Sequence, residues 1–131
     1  MSAQTMRRVG LVLTVLVALF LAMDAGGKLF APEMMIANSP PLGLPDDPGF
    51  HRMLGAILAL ALVLYLIPRS AIFGAIVLTG YLGGAVATHA RVGSPLGSHT
   101  LFGVYIWVML WAALWCRLPA LRALVPLTQG D

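Results

Sequence analysis

The stretch "SAIFGAIVLTGYLGGAVAT", residues 70–88, decides the fold because it contains no charged residue over its whole length. A helix rises about 1.5 Å per residue, so a segment of this length crosses a hydrocarbon core that is about 30 Å thick. A helix also satisfies its own backbone hydrogen bonds, for which lipid offers no partners. Residues 70–88 therefore predict a membrane-spanning helix.

Three other apolar segments of similar length accompany it, at about residues 9–30, 50–67 and 100–117. None of them alternates apolar and polar residues, as the strands of an outer-membrane barrel do. The predicted fold is an all-α integral membrane four-helix bundle with antiparallel up-down topology. We expect residues 1–131 to form a single four-helix transmembrane domain.

The composition of the chain also predicts a membrane environment. Hydrophobic residues make up 60% of the chain and charged residues only 10%, which leaves too few polar side chains to cover a soluble domain. The lipid bilayer is therefore the expected environment. The net charge of +3 is not concentrated on a basic face, so nucleic acid is not an expected partner.

The first apolar segment also has features of a secretory signal peptide, since Arg7 and Arg8 precede a long apolar run. The cleavage motif is poor, however. The sequence "AMDAGG", residues 22–27, places Met or Asp where small residues are needed. We therefore interpret residues 9–30 as a retained membrane span.

The connections between the segments predict the orientation. Residues 31–49 carry five prolines and three acidic residues, so we expect no regular helix there. Residues 68–70 form so short a connection that the helices on either side must be antiparallel. The end that carries both termini holds five arginines, whereas the opposite end holds three basic residues. This asymmetry predicts an inner (cytoplasmic) membrane protein with both termini in the cytoplasm.

All three histidines and one pair of opposite charges fall at the other end of the predicted bundle. Asp24 and Lys28 are four residues apart on the first helix, so their side chains can meet. Three interpretations stay open. Lys28 reaches the lipid headgroups while Asp24 caps the helix end, or the pair faces the interior and binds a ligand headgroup or passes a proton, or the pair only holds helices in register.

Further candidates lie on the third predicted helix. His89 is a candidate proton donor or ligand contact beside the charged pair, and Tyr81 offers a phenol near the middle of the membrane. Arg91 lies at the same end, where it could meet an acidic residue. Gly80 and Gly84 form a G-x-x-x-G pair, which predicts close helix packing within the bundle or between subunits.

The histidines do not have the spacing of a metal site, because neither H-x₃-H nor H-E-x-x-H occurs. We therefore predict no metal site, with His51, His89 and His99 as weak candidates only. Cys116 is the only cysteine, so the chain forms no C-x-x-C dithiol and no intramolecular disulfide. We find no autonomous catalytic motif, so a redox role would need a partner that supplies electrons.

The sequence "LYLIPRSAIFGAIVLTGYLGGAVATHARVGSPL", residues 64–96, closely resembles the core of the DoxX-like family of small four-helix membrane proteins. The segment "FLAMDAGGKLF", residues 20–30, is similar to the D-x-x-x-K-L feature of that family. The resemblance extends to six polar residues: Asp24, Lys28, Arg69, Tyr81, His89 and Arg91. One position departs from the pattern, because Ala59 stands where relatives commonly carry a glutamate in the second helix.

The DoxX-like family is similar in outline to membrane subunits associated with thiosulfate:quinone oxidoreductases. The resemblance implies an accessory or redox-linked subunit of a membrane complex, with no intrinsic cofactor and with a quinone or a lipid as ligand. One alternative is a non-catalytic assembly factor or structural subunit that packs on a larger membrane protein, which Ala59 and the abundant packing surface favour. A second alternative is a lipid- or isoprenoid-binding membrane enzyme. The expected partners are other membrane protein subunits or further copies of the chain.

Overall fold

The computed structural model describes residues 1–38 and 41–125, and this part of the chain is helical without strands. In chain order the helices are α1 (Ala3–Phe30), α2 (Pro32–Asn38), α3 (Pro48–Leu66), α4 (Ala71–Arg91), α5 (Phe102–Arg117) and α6 (Pro119–Leu124). A π-helical turn, Leu96–Thr100, lies just before α5 and extends it to the length of a span.

Four of these segments are long and apolar enough to cross a membrane: α1, α3, α4, and α5 with its π-helical turn. Only 28% to 33% of the most apolar window of each span is buried inside the bundle, so most of its side chains face outward. An outer surface of this kind suits hydrocarbon rather than water. The all-α membrane bundle predicted from hydropathy is confirmed, and the chain is a multi-pass membrane protein with the lipid bilayer as its environment.

Four glycines allow neighbouring helices to approach closely. A Cβ atom on Gly74 would overlap the backbone around Tyr65, so only glycine permits this contact between α3 and α4. Each of the others would place a Cβ at 2.6 to 2.9 Å from an atom of the adjacent helix: Gly10 between α1 and α5, Gly55 between α1 and α3, and Gly103 between α4 and α5. Every contact joins the beginning of one helix to the end of its neighbour, which is consistent with the antiparallel up-down order.

Side chains fill the end of the bundle where α1 begins and α5 ends, which we call the closed end. Tyr65 is 0% exposed, and its hydroxyl donates to the carbonyl oxygen of Leu110 at 3.0 Å, across the bundle from α3 to α5. Nη1 of Arg117 donates to Oγ1 of Thr14 at 2.9 Å, which links α5 to α1. The opposite end, where α1 ends and α3 begins, is the open end.

The connection between α1 and α3 differs from the sequence expectation. Its five prolines predict no regular helix, yet α2 forms over Pro32–Asn38. Pro32 stands at the first helical position, where the backbone N–H has no intrahelical partner in any case, so a proline is tolerated. The next proline in the sequence comes only after this helix. The prediction is wrong for these residues because it counted prolines without regard to their positions.

Candidate ligand-binding cavity

A cavity of about 550 Å³ lies inside the open end of the bundle. Its walls come from α1, α3, α4, the π-helical turn and the beginning of α5, and Met35 of α2 with Leu42 and Leu44 of the following connection completes them. Within the described residues α1 and α4 each pack against α3 and α5 but not against each other. The cavity occupies the space between them. Its volume falls within the range of small-molecule pockets, about 300 to 1,000 Å³.

Most of the cavity wall is apolar. Aliphatic and aromatic side chains come from every contributing helix, among them Phe20, Leu21, Leu54, Leu82, Phe102 and Ile106. The rings of Phe20 and Phe102 lie 4.7 Å apart between centroids, which closes the wall between α1 and α5. A wall of this composition favours a hydrocarbon tail or a ring over a hydrated ion.

The charged pair of α1 lies in this wall. Nζ of Lys28 is 2.5 Å from Oδ1 of Asp24, and the two side chains are 16% and 26% exposed, respectively. Both residues line the cavity, and α1 continues as a helix through Gly26 and Gly27 to its end at Phe30. The pair therefore faces the bundle interior on a regular helix. Its role in binding a ligand or a proton stays a prediction.

His89 and His99 face each other in the cavity wall, with 5.9 Å between their ring centroids. Nδ1 of His89 lies 3.0 Å from Oγ of Ser94, and Nδ1 of His99 lies 2.7 Å from Oγ of Ser98. The serine hydroxyls thus orient both rings through Nδ1 and leave Nε2 for a further partner. His99 belongs to the π-helical turn, a conformation that often occurs at functional sites.

Two other polar side chains of the wall have no hydrogen-bond partner among the described residues, His51 and Tyr81. His51 lies in the first turn of α3, is 7% exposed, and contacts the ring of Phe50 at 5.8 Å between centroids. Tyr81 lies on α4 and packs against the hydrophobic core. No fully enclosed side-chain nitrogen or oxygen in the described part lacks a hydrogen bond. The ring nitrogens of His51 and the hydroxyl of Tyr81 are therefore accessible, and both residues line the cavity.

Arg91 lies beside the cavity rather than in its wall. Its Nη2 donates to the carbonyl oxygen of Leu42 at 2.9 Å, and its guanidinium lies over Gly43. Gly43 has a φ of 72°, in the left-handed region that favours glycine. The hydrogen-bond partner of Arg91 is thus a backbone carbonyl oxygen, whereas the sequence suggested an acidic side chain. Arg91 holds in place the connection that carries Leu42 into the cavity wall.

Gly80 and Gly84 also border the cavity. A Cβ atom on either residue would have no heavy atom within 4 Å among the described residues, apart from its own helix turn. Neither glycine therefore makes a close contact with a neighbouring helix of this chain. In this they differ from Gly74 and the three other glycines at helix contacts. Packing between copies of the chain stays a prediction. Inside the chain, these two glycines leave space in the cavity.

The remaining sequence candidates can be placed as well. Among the described residues, no three His, Cys, Asp or Glu side chains lie close enough together to hold a metal ion. Ala59, the position of the expected glutamate, packs against the hydrophobic core and is not part of the cavity wall. Arg69 lies in the short connection between α3 and α4 at the closed end, away from the cavity.

Sequence reasoning missed three groups of cavity residues. It considered His51 only as a metal candidate, although burial without a protein partner is its informative property. It did not foresee Leu42 and Leu44, because an irregular connection has no periodicity that would show which side chains point inward. It also missed the serines beside the two paired histidines. The adjacency of Ser98 and His99 in the sequence was the available signal.

Fold and cavity together define the class of protein: a small helical membrane protein that forms a ligand-sized cavity between its own four spans. The chain belongs to the DoxX-like family, whose family model matches residues 12–113. The match includes every residue of the cavity wall and confirms the family predicted from the sequence. No curated protein and no solved structure gave a match in the corresponding comparisons.

Proposed function

We propose that the protein is a ligand-binding accessory subunit of a membrane redox complex and that its cavity holds a quinone or a lipid. The observation that carries this proposal is the cavity of about 550 Å³, whose apolar wall bears a small set of polar groups. Small-molecule sites commonly have this composition, because apolar surface contributes affinity and a few polar groups fix the orientation. The cavity suits an amphipathic molecule with an apolar tail and a polar head.

The polar groups of the wall fit the carbonyl oxygens of a quinone. Lys28, His51 and Tyr81 line the cavity, and each can donate a hydrogen bond to such an oxygen. A bound quinone would supply two-electron chemistry that is coupled to proton uptake. The chain itself would bind and orient the ring, surround it with apolar side chains, and hold a proton at Asp24 or at an imidazole. The electrons would come from a partner subunit.

The place of Gly80 and Gly84 in the cavity wall supports ligand binding over a purely structural role. A packing motif that served assembly would present its small residues to a neighbouring helix. These two glycines instead border the cavity. A partner subunit would contact the exposed apolar faces of the spans, which leaves the cavity available to its ligand.

The proposal includes an orientation in the inner (cytoplasmic) membrane, with the closed end in the cytoplasm. The support is the distribution of arginine, because basic residues near span ends are retained on the cytoplasmic side. Five arginines belong to the closed end or its flanking segments: Arg7, Arg8, Arg69, Arg117 and Arg122. The ligand would then occupy the half of the bundle nearer the outer leaflet.

The proposal is tested by purifying the full chain in detergent, identifying retained quinones and lipids by mass spectrometry, and titrating the protein with ubiquinone-1. Asp24→Asn should weaken ubiquinone-1 binding, because Lys28 then loses its charge partner in the cavity wall. Glu33→Gln is the matched control, since Glu33 is exposed on α2 and does not line the cavity. Purification without a stoichiometric quinone or lipid, together with no binding of ubiquinone-1, would contradict the proposal.

A further inference from the structure

The charges of the cavity wall indicate what kind of head the ligand has. Among the lining residues, Asp24 and Lys28 are the pair with formal charges at neutral pH, and they neutralise each other through their 2.5 Å contact. Arg91, the nearby cation, is engaged with the carbonyl oxygen of Leu42 outside the wall. The acidic and basic side chains of the wall therefore add no net charge. An anionic head would lose its hydration there without gaining a free cation as partner.

The cavity does offer hydrogen bonds that no protein group uses. His51 is 7% exposed and has no hydrogen bond to its ring among the described residues. Its accessible ring nitrogens can donate to and accept from a bound molecule in the cavity. Tyr81 presents its hydroxyl to the same cavity from the adjacent helix α4, again without a partner in the described part.

We infer that the ligand has an uncharged head with carbonyl or hydroxyl oxygens and that His51 and Tyr81 hydrogen-bond this head. The inference rests on the proposed function and narrows its ligand to a neutral molecule. A neutral imidazole donates through one nitrogen and accepts through the other, and a phenol can do both. The two side chains can therefore donate to a carbonyl oxygen, and they can either donate to or accept from a hydroxyl group. Quinones and acylglycerols have such an uncharged head, whereas acidic phospholipids and ionised fatty acids have an anionic one.

The space beside Tyr81 is consistent with such a head. Gly80 and Gly84 lie one residue before and three residues after it on α4, and neither has a neighbouring atom where its Cβ would be. A substituent on the head would find room along this side of α4. The same two positions offer the means to fill the cavity without altering His51 or Tyr81.

The test compares three probes on the full chain in phosphatidylcholine nanodiscs: ubiquinone-1, a short-chain diacylglycerol, and a short-chain phosphatidic acid. We expect at least one neutral probe to bind and the phosphatidic acid not to displace it. The two neutral probes distinguish a quinone from an acylglycerol as the source of the shared chemistry. His51→Leu should weaken binding of the neutral probe about tenfold, and Tyr81→Phe should weaken it severalfold, because each change removes a hydrogen bond to the head.

Two matched variants separate this effect from misfolding. Tyr105→Phe removes a hydroxyl that donates to the carbonyl oxygen of Gly97 outside the cavity wall, so binding should not change. His51→Gln keeps a donor and an acceptor and should recover part of the affinity that His51→Leu loses. If thermal unfolding shows that His51→Leu does not fold, the inference is tested by comparing ligand binding of Tyr81→Phe with that of Tyr105→Phe.

The outcomes separate the inference from the proposed function. Phosphatidic acid that binds as tightly as the neutral probes would overturn the uncharged head and leave a ligand-binding cavity in place. Unchanged binding in folded variants of both His51 and Tyr81 would overturn their roles in the same way. The proposed function itself would be contradicted if none of the three probes bound and the purified protein also retained no amphipathic molecule.

Discussion

The guanidinium of Arg91 donates to the carbonyl oxygen of Leu42 at 2.9 Å, which ties the end of α4 to the connection between α2 and α3. The two residues are 49 positions apart in the sequence, and the bond spans the open end of the bundle. Leu42 and Leu44 depend on this connection for their places in the cavity wall. A charged side chain outside the cavity wall therefore shapes the site.

Replacing Arg91 should loosen the cavity without unfolding the bundle. Arg91→Met removes the hydrogen bond to Leu42 but keeps an apolar stem of similar length. We expect faster hydrogen exchange over residues 41–47 and a severalfold weaker affinity for the ligand, because part of the wall loses its support. Arg52→Met is the control, since Arg52 is exposed near the same end and lies outside the wall. Equal exchange rates in the two variants would contradict the role given to Arg91.

Replacement by alanine should change the free energy of unfolding differently at two glycines of α4. Gly74→Ala places a methyl group against the backbone around Tyr65, so it should lower the free energy of unfolding by about 1 to 3 kcal/mol or more. Gly83→Ala meets no atom within 4 Å among the described residues and should be neutral or stabilising by about 0.5 to 1 kcal/mol. Thermal unfolding of both variants in one detergent measures the difference. A similar loss of stability in both would show that helix approach does not depend on Gly74.

Filling the cavity should remove the ligand and spare the fold. The side chain introduced by Gly80→Leu would project into the open space beside Tyr81, where no neighbouring atom would oppose its Cβ. We expect loss of most ligand binding with little change in the unfolding temperature. Gly83→Leu is the matched control, because Gly83 lies on the same helix but outside the wall of this cavity. Normal binding by Gly80→Leu would mean that the ligand does not occupy this space.

Labelling of single cysteines should report the orientation in the membrane. In a Cys116→Ala background, we expect a membrane-impermeant maleimide to modify Glu33→Cys in intact cells, because α2 lies at the open end. Ser2→Cys, at the exposed beginning of α1, should react only after the cells are permeabilised. The opposite pattern would place the closed end, with its arginines, on the outer side.

Hydropathy predicted the fold because each span satisfies its backbone hydrogen bonds within itself and needs only length and apolar side chains to lie in lipid. The same local logic located the charged pair, since residues at i and i+4 meet on any regular helix. Asp24 and Lys28 accordingly form the expected contact. Patterns that depend on a neighbouring element were less informative. The G-x-x-x-G pair on α4 predicted helix packing, yet Gly80 and Gly84 border open space while Gly74 makes the close contact.

The sequence by itself determined that this chain is a four-helix membrane protein with its histidines and one ion pair at the same end. These properties follow from segment length, hydropathy and the alternation of direction between successive spans. Only the tertiary structure decided that α1 and α4 face each other across a cavity, with His51 and Tyr81 presenting unused hydrogen-bonding groups to it. The physical reason is that a cavity forms where helices do not touch. Its position depends on the relative rotation and spacing of all four spans, which no single segment encodes.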